Sequence, residues 1–236
     1  MTLKGKRVLV TGGTGALGQA IALDLLDRGA WVAVTYRDRA EADALLERCA
    51  NAPCDIHALP CDLTDPVSVD SAAQAVLAGG ALDGLVLAAG TWDGGHPVWE
   101  APADEAERLM RTNFLTAVHP IRAFVPGMVE AGGGAVVSVG SRIALRNRKG
   151  SVLAAASKAA LVALTEGLAE DLKGTGVSAF CVLPSTIDTP ANRAAFPNAD
   201  PKRWVAPQRI AAIIAWLLDA EASVASGAVV PVYGDA

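Results

Sequence analysis

Several residue types that often carry function are scarce in this chain. Its 236 residues include two tyrosines, three histidines and four cysteines, and Lys and Arg number 20 against 25 Asp and Glu. The formal net charge of −5 disfavours binding to nucleic acid or to an anionic membrane surface, because both attract basic proteins. No apolar run reaches the roughly 18–20 residues needed to cross a bilayer, and no signal peptide is visible. We therefore expect a cytoplasmic protein.

The cysteines are too irregularly spaced to indicate a metal site. Cys49, Cys54 and Cys61 form no CxxC pair, and His57 is the one histidine near them. A structural zinc site needs four such ligands at regular spacings. We predict reduced thiols, as is usual in the cytoplasm, and no bound metal.

Short apolar segments alternate with segments of helical periodicity along the whole chain. This alternation predicts βαβ units, and hence an α/β, single-domain Rossmann fold over residues 1–236 with a seven-stranded, mostly parallel, doubly wound sheet and helices on both faces. The predicted strands are 7–10, 31–36, 56–60, 84–88, 135–139, 178–183 and 228–232. The predicted helices are 16–28, 39–50, 66–78, 104–131, 151–173 and 207–219. Residues 185–207 lack a clear period and are predicted to form a substrate loop.

The segment TGGTGALG follows the first predicted strand and opens the first predicted helix. Small residues there let a pyrophosphate approach the backbone, and the free N–H groups of the helix N-terminus attract its charge. The strand before the glycines and the helix after them distinguish this segment from an ordinary tight turn. The predicted dinucleotide contacts are Gly12, Thr14, Gly15, Ala16, Leu17 and Gly18.

The end of the second predicted strand is expected to select between NAD and NADP. Arg37 follows the strand directly, and a guanidinium pairs well with the 2′-phosphate of NADP. Asp38 comes next and would instead accept a hydrogen bond from the 2′-hydroxyl of NAD. We predict NADP(H), with NAD(H) as the alternative.

Two further strand ends fit a dinucleotide crevice. CDLTD places Asp62 and Leu63 after the third strand, where the carboxylate would accept a hydrogen bond from the adenine amino group. LAAG places Ala89 and Gly90 after the fourth strand, where small side chains leave room for a cofactor. Either segment alone could be a turn, but their order along the chain makes the prediction of a dinucleotide site stronger.

Taken together, these motifs resemble those of the short-chain dehydrogenase/reductase family over nearly the whole chain. The similarity continues through RTNF, VVSVGS, ASKAAL, LPSTIDTP and the closing SGAVVPV. It implies that Asn113 anchors a proton relay, that Ser141 polarises a substrate carbonyl, and that Lys158 holds the nicotinamide ribose. The other cofactor contacts that it implies are Pro184, Ile187 and Thr189.

The catalytic tyrosine of that family is missing. It would lie four residues before the lysine, and that position is Ala154, whose methyl group neither donates nor accepts a proton. The enoyl-reductase variant places its tyrosine seven residues before the lysine, and that position is Ser151. Because general acid–base catalysis typically supplies ~10²–10⁴-fold, the loss disfavours simple ketones more than conjugated acceptors that water can protonate.

Four other groups are candidate proton donors. Lys158 is the nearest in sequence, because an ammonium that is desolvated beside a cationic ring has a lowered pKa. Ser141 could relay a proton, although an unassisted hydroxyl is a poor acid. Ser151 is more simply interpreted as a helix N-cap. His96 lies on the loop after the fourth strand, and histidine titrates in the useful pH range. The predicted catalytic residues are Ser141, Lys158, Asn113 and His96.

The segment SRIALRNRKG would suit an anionic substrate, or else is a solvated loop or a subunit contact. Its cations are Arg142, Arg146, Arg148 and Lys149. The tryptophans that would stack on a flat ring, if they are not core residues, are Trp92, Trp99 and Trp204. The segment LPSTIDTPANRAAFPNADPKRW looks like the substrate loop of the dihydropteridine reductase branch, whose members reduce quinonoid dihydropterins.

The sequence therefore predicts an NADP(H)-dependent reductase of a conjugated, quinonoid or carbonyl small molecule, with an atypical active site. The family resemblance also implies a homodimer or homotetramer, formed through the helices predicted at 104–131 and 151–173 and the last strand. Two alternatives remain open. One is a nucleotide-binding pseudoenzyme or regulatory subunit, and the other is a non-redox isomerase or dehydratase in the same pocket.

Overall fold

The computed structural model describes residues 2–50, 52 and 54–235. Seven strands in this part of the chain form one sheet in which every neighbouring pair is parallel. The strands are β1 (Arg7–Thr11), β2 (Trp31–Tyr36), β3 (Ile56–Pro60), β4 (Gly84–Leu87), β5 (Gly134–Val139), β6 (Val177–Pro184) and β7 (Val229–Val232). Their spatial order is β3-β2-β1-β4-β5-β6-β7. The predicted fold class is confirmed.

Helices cover both faces of the sheet. They are α1 (Ala16–Asp27), α2 (Arg39–Arg48), α3 (Pro66–Leu77), α4 (Glu105–Met110), α5 (Thr116–Ala131), α6 (Val152–Asp171), α7 (Pro190–Ala195) and α8 (Pro207–Leu217). Successive strand side chains point to opposite faces, so Val8 and Val10 pack into a core with α1 and α8, whereas Leu9 packs into a second core with α3, α5 and α6. Burial on both faces explains why the strands are almost wholly apolar.

The order of the strands reverses beside β1, where β2 lies on one side and β4 on the other. In sheets of this kind a crevice opens at the carboxyl ends of the two strands at the reversal. The chain is closely packed there: a Cβ added to Gly12 would lie 3.0 Å from the Cα of Ala89. The fold therefore brings together the two small-residue segments that the sequence placed after the first and fourth strands.

The segment predicted to be helical at 104–131 is helical from Glu105 to Ala131, but it is not one regular α-helix. The structure has α4, then a π-helical turn at Arg111–Leu115, then α5. A π-helical turn rotates the side chains that follow it and is frequent at functional sites. Here it carries Asn113, which is completely buried.

The prediction that 185–207 lacks regular structure is also wrong. The segment contains α7 and a short 3₁₀ turn at Pro201–Arg203. Its two ends meet, because Ile187 and Val205 form an isolated parallel bridge. The segment is therefore a folded flap that closes on itself above β6.

By length and composition alone, α6 is apolar enough to cross a membrane, with a mean hydropathy of 1.5. It is the one helix of the described residues that meets this test. The helix contains the buried Lys158 and packs on the sheet through residues such as Leu161. Those contacts are typical of a core helix in an α/β domain.

Candidate active site

The turn between β1 and α1 is built for close approach of backbone atoms. A Cβ on Gly18 would lie 2.2 Å from the carbonyl oxygen of Gly12, and one on Gly13 would lie 2.4 Å from Cβ of Val34. Gly15 precedes α1 and makes no side-chain cap, which leaves the N–H groups of the first helical turn free to bind an anion. This bare helix start fits a pyrophosphate, as the sequence predicted for the glycine segment. Gly13, which the sequence reasoning did not single out, is needed for packing against β2.

Two adjoining cavities open at the carboxyl edge of the sheet. The larger cavity has a volume of about 560 Å³ and runs from the start of α1 across the ends of β4 and β5 to α7. The smaller cavity, of about 400 Å³, lies beyond the ends of β2 and β3. Both are lined by Gly12, Gly15, Ala88, Gly90 and Thr91. The two cavities thus make one crevice with the glycine turn at its centre, a shape that suits a dinucleotide.

The smaller cavity brings together Arg37 and Asp62, the two residues predicted to contact adenosine. The other predicted cofactor contacts that line it are Gly12, Thr14, Gly15, Leu63, Ala89 and Gly90. The Asp62 carboxylate accepts hydrogen bonds from the amide and hydroxyl groups of Thr64, at 2.9 and 2.8 Å. These bonds hold the pKa of Asp62 below its usual value, and the carboxylate stays ionised.

The two charged residues after β2 have different roles. Asp38 is the N-cap of α2 and accepts hydrogen bonds from the amides of Ala40 and Glu41, at 2.8 and 3.3 Å. Arg37 is exposed and is the one cation among the described residues that line the smaller cavity. Glu41 lines the same cavity and accepts a hydrogen bond from Thr14 Oγ1 at 2.9 Å. Sequence reasoning missed Glu41, although its position three residues after an Asp is typical of a capping box.

Asn113 joins three elements beside the larger cavity, although it lines neither cavity. Its Oδ1 accepts a hydrogen bond from the amide of Thr91 at 2.8 Å, and its Nδ2 donates to Ser157 Oγ at 2.9 Å. The Ser157 hydroxyl in turn donates to the carbonyl of Ala154 at 2.8 Å. The buried side chain thereby fixes the end of β4 against α6. Sequence reasoning missed Ser157, which directly precedes the predicted lysine.

Lys158 reaches the same place from α6. A Cβ on Gly90 would lie 2.7 Å from Lys158 Nζ and 2.8 Å from Asn113 Oδ1, so only glycine fits between these side chains and β4. The lysine is 8% exposed, and its Nζ lies 3.5 Å from the carbonyl oxygen of Val139. Burial lowers the pKa of Lys158 to about 8.

Within the part of the chain that the structure describes, no ion pair is formed by Lys158. Cys181 is the titratable group that acts on its charge, and burial raises the pKa of that thiol to about 11, which keeps it protonated at neutral pH. No Asp or Glu is found among the described residues that line the larger cavity. The ammonium therefore lies at the wall of a cavity in which no described lining residue carries a negative charge.

The positions around the missing tyrosine are arranged unexpectedly. Ala154 is 1% exposed and does not line the larger cavity. Ser151 does line it, and although it precedes α6 its side chain makes no capping hydrogen bond. Ser151 therefore occupies the N-cap position of α6, as predicted, but its hydroxyl does not cap the helix. Ser141 also lines the cavity, and its Oγ accepts a long hydrogen bond of 3.4 Å from the amide of Ile143.

His96 lies away from this centre. Its Nε2 is 2.8 Å from Oε2 of Glu105, a carboxylate that is only 2% exposed, and it lines neither cavity. The loop that carries His96 is held at the start of α6 by a hydrogen bond of 2.7 Å from the amide of Gly95 to the carbonyl of Gly150. The structure thus places His96 in a contact with α4 that positions the loop, and not beside Lys158.

The remaining predicted residues divide between the cavity and the scaffold. Ala16, Leu17, Gly18, Ile187 and Thr189 line the larger cavity, whereas Pro184 is buried at the end of β6 and lines neither one. Of the cationic loop, Arg142, Arg148 and Lys149 line the larger cavity and Arg146 does not. Trp92 lines it together with Phe196, which sequence reasoning missed, while Trp99 is 81% exposed outside it.

Comparison with known proteins agrees with this geometry. Residues 6–200 match the profile of the family described as short chain dehydrogenase. A cyclic-di-GMP-binding biofilm dispersal mediator protein of Escherichia coli (strain K12) is 33% identical, over 98% of this chain and 96% of that protein. A blue fluorescent protein from a metagenomic library, solved with NADPH, is 32% identical, with a TM-score of 0.89 over 100% of this chain and 99% of that one. An NAD⁺-bound xylitol dehydrogenase shares the fold at 24% identity, with a TM-score of 0.92 over 99% and 100% of the two chains.

Proposed function

Since the chain belongs to the short-chain dehydrogenase/reductase family, we propose that it is an NADPH-dependent reductase whose active site works without a tyrosine. The observation that carries this proposal is the buried Lys158 ammonium, which faces the larger cavity with no anionic partner. When bound, the nicotinamide would supply the hydride. The protein's own residues would then bind and orient the acceptor and provide positive charge and protons.

Lys158 is the group that we assign to the developing negative charge on the acceptor oxygen. With a pKa of about 8 it is mostly protonated at pH 7, yet it holds its proton less firmly than an ordinary lysine. Ser141 donates a second hydrogen bond to the same oxygen, and Asn113 fixes the end of β4 so that Gly90 leaves room for the ring. These groups favour an acceptor that is already electron-poor, such as a quinone or a quinonoid dihydropterin.

The test is a set of binding and turnover measurements on the wild-type protein. NADPH and NADH are titrated by fluorescence, and oxidation of the bound form is then followed at 340 nm with quinones, quinonoid dihydropterin and simple ketones. We expect NADPH to bind and quinonoid acceptors to be reduced, while simple ketones are reduced slowly or not at all. Failure of both dinucleotides to bind would overturn the proposal.

Ala154→Tyr is expected to extend the reaction to simple ketones. A phenol four residues before Lys158 supplies the proton donor that the family otherwise uses, worth ~10²–10⁴-fold in rate. Because Ala154 is 1% exposed, the larger side chain must displace its neighbours, and we expect a cost of about 1–3 kcal/mol in stability. The measurement is ketone turnover beside the melting temperature, with Ala154→Phe as the matched control that adds bulk without the hydroxyl. Equal ketone activity in both variants would contradict the role given to the phenol.

The preference for NADPH is expected to depend on Arg37. Asp38 already caps α2, and the remaining carboxylate of this corner, Glu41, would repel a 2′-phosphate. Arg37→Leu should therefore weaken the binding of NADPH by roughly 10- to 150-fold and leave the binding of NADH nearly unchanged, since a charge-assisted hydrogen bond contributes roughly 1.5–3 kcal/mol. Glu41→Gln should strengthen the binding of NADPH. Tighter binding of NADH than NADPH by the wild type would contradict this assignment.

A nucleotide-binding protein without turnover is the second candidate. It is favoured by Ala154, which leaves the cavity without the usual proton donor, and by the E. coli relative that is described as binding cyclic-di-GMP. Binding of NADPH with no oxidation by any acceptor would support this candidate. A parallel titration with cyclic-di-GMP distinguishes a dinucleotide regulator from a resting reductase.

We further propose a cytoplasmic homodimer or homotetramer that forms through α5 and α6. The exposed side of α6 carries small residues, among them Ala156, Ala163 and Gly167, which permit close approach of a second helix. Sedimentation velocity gives the mass directly, and a monomer at micromolar concentration would exclude this assembly.

A further inference from the structure

The larger cavity differs in charge from the rest of the molecule. The chain has a formal net charge of −5, yet the cationic residues Arg142, Arg148, Lys149 and Lys158 line this cavity, and no acidic residue of the described chain does. We propose that the mouth of the cavity, formed by Arg148 and Lys149, binds a carboxylate or phosphate group of the substrate. The proposal rests on the proposed function only in calling the ligand a substrate.

The cations lie at different depths, which separates this site from the cofactor. The glycine turn and the buried Lys158 form one end, where a dinucleotide would lie. Arg148 and Lys149 line the same cavity and are exposed. Arg142 lines it too, and its guanidinium lies 4.9 Å from the centre of the Tyr233 ring. A molecule that fills the cavity therefore contacts both the buried Lys158 and the exposed Arg148 and Lys149.

The start of α6 adds positive potential at the same end. This helix is 20 residues long, and Ser151, which precedes it, lines the cavity without capping it. Uncapped amides of a first helical turn, together with the helix dipole, favour an anion. The cationic residues and the helix start therefore act in the same direction.

Three acidic side chains of the neighbouring elements have side-chain partners. Asp93 accepts a hydrogen bond from Arg108, and Glu105 is held by His96 at 2.8 Å. On the flap that contains α7, Asp188 pairs with Arg193 at 2.6 and 2.8 Å. Asp93 and Asp188 are thereby neutralised by arginine, so they oppose the positive field of the cavity mouth less.

The body of the ligand is indicated by two aromatic residues. Trp92 and Phe196 line the cavity from opposite loops, with their ring centres 6.1 Å apart and their planes at 58°. Phe196 is supported from behind by Trp204, at 6.5 Å and nearly perpendicular. Such a corner accepts a flat ring by stacking or edge contact. The ligand class is therefore an aromatic or conjugated acid.

The experiment measures binding, so it does not require turnover. The probes are 2-naphthoate, 1-naphthyl phosphate and the neutral 2-naphthamide, titrated into the full chain with and without saturating NADP⁺ and followed by tryptophan fluorescence. We expect both anions to bind the wild type more tightly than the amide, by about tenfold, because each charge-assisted pair adds affinity that a neutral group lacks. The anion that binds more tightly identifies the substrate's charged group as a carboxylate or a phosphate.

The double variant Arg148→Gln/Lys149→Gln should weaken the binding of both anions by about tenfold and leave the binding of the amide unchanged. Arg146→Gln is the matched control, since Arg146 belongs to the same loop but does not line the cavity, and it should leave all three probes within about twofold of the wild type. Equal binding of anions and amide, equal effects of the two sets of substitutions, or no binding of any probe would each overturn the proposal. Failure of NADP⁺ to bind, with the probe pattern intact, would count against the reductase and not against this site.

Discussion

Replacing Lys158 by methionine is expected to make the cofactor-free protein more stable and at the same time to abolish its reductase activity. The buried ammonium has no anionic partner, and its pKa falls from 10.5 to about 8. A shift of that size corresponds to an order of 3 kcal/mol of unfavourable charge burial at neutral pH. Methionine has a similar length and no charge, so the penalty disappears. At roughly 2–4 °C per kcal/mol for a chain of this size, the melting temperature should rise by several degrees.

The same pKa fixes how stability depends on pH. The unfolded chain keeps the lysine proton up to about pH 10.5, whereas the folded protein loses it near pH 8. Between those values the unfolded state binds more protons, so the contribution of Lys158 to the stability of the wild type rises with pH from about 8 to about 10.5. Cys181, whose pKa is raised from 9.0 to about 11, contributes in the opposite direction above pH 9 in both proteins, so the comparison of wild type with variant isolates the lysine. Below pH 8 the lysine is protonated in both the folded and the unfolded state, and the full cost of burying the ammonium reduces the stability of the fold. Lys158→Met should show no such rise.

Denaturant unfolding at pH 7 and pH 9.5 checks both statements, with Lys173→Met as the matched control. Lys173 is 71% exposed and pairs with Glu170 at the end of α6, so its removal should change stability little at either pH. A loss of stability in Lys158→Met would show that the ammonium supports the fold and would remove the physical basis of the proposed active site.

Gly18→Ala is expected to abolish dinucleotide binding and to destabilise the fold. The added Cβ would lie 2.2 Å from the carbonyl oxygen of Gly12 and 2.7 Å from the Cα of Gly13. Both contacts are with backbone atoms, which cannot rotate away as a side chain does. The turn between β1 and α1 must open, and its amides then move from the positions that suit a pyrophosphate. We expect affinity for NADPH to fall by at least ~10²-fold, because both the helix-end anion site and its orientation are lost.

Gly127→Ala is the matched control for this substitution. Gly127 also lies in a helix, and a Cβ there would meet only Leu77 Cδ2, at an ordinary 3.8 Å. Alanine loses less conformational freedom than glycine in a helix, so this variant should be more stable than the wild type by about 0.5–1 kcal/mol. Isothermal titration with NADPH and a thermal melt measure both effects. Wild-type affinity in Gly18→Ala would contradict the proposed pyrophosphate site.

Much of the corner after β2 could be predicted, but the sequence left open what Asp38 does. It keeps NAD(H) as the alternative cofactor, and in the structure its carboxylate caps α2. The spacing from Asp38 to Glu41 is a capping-box pattern that the sequence displays.

By itself the sequence determined the layers, the order of the elements and the glycine turn, because these follow from local patterns. Strands that are apolar on both faces, periodic helices and small residues after a strand have the same meaning wherever they occur. Only the tertiary structure decided which side chains face the cavity. Asn113 is buried within a π-helical turn, and the hydroxyl of Ser151 lies at the cavity without capping α6. His96 contacts Glu105. Those outcomes depend on contacts between segments that are distant in sequence, such as the close approach of Gly90, Asn113 and Lys158, and no local pattern encodes them.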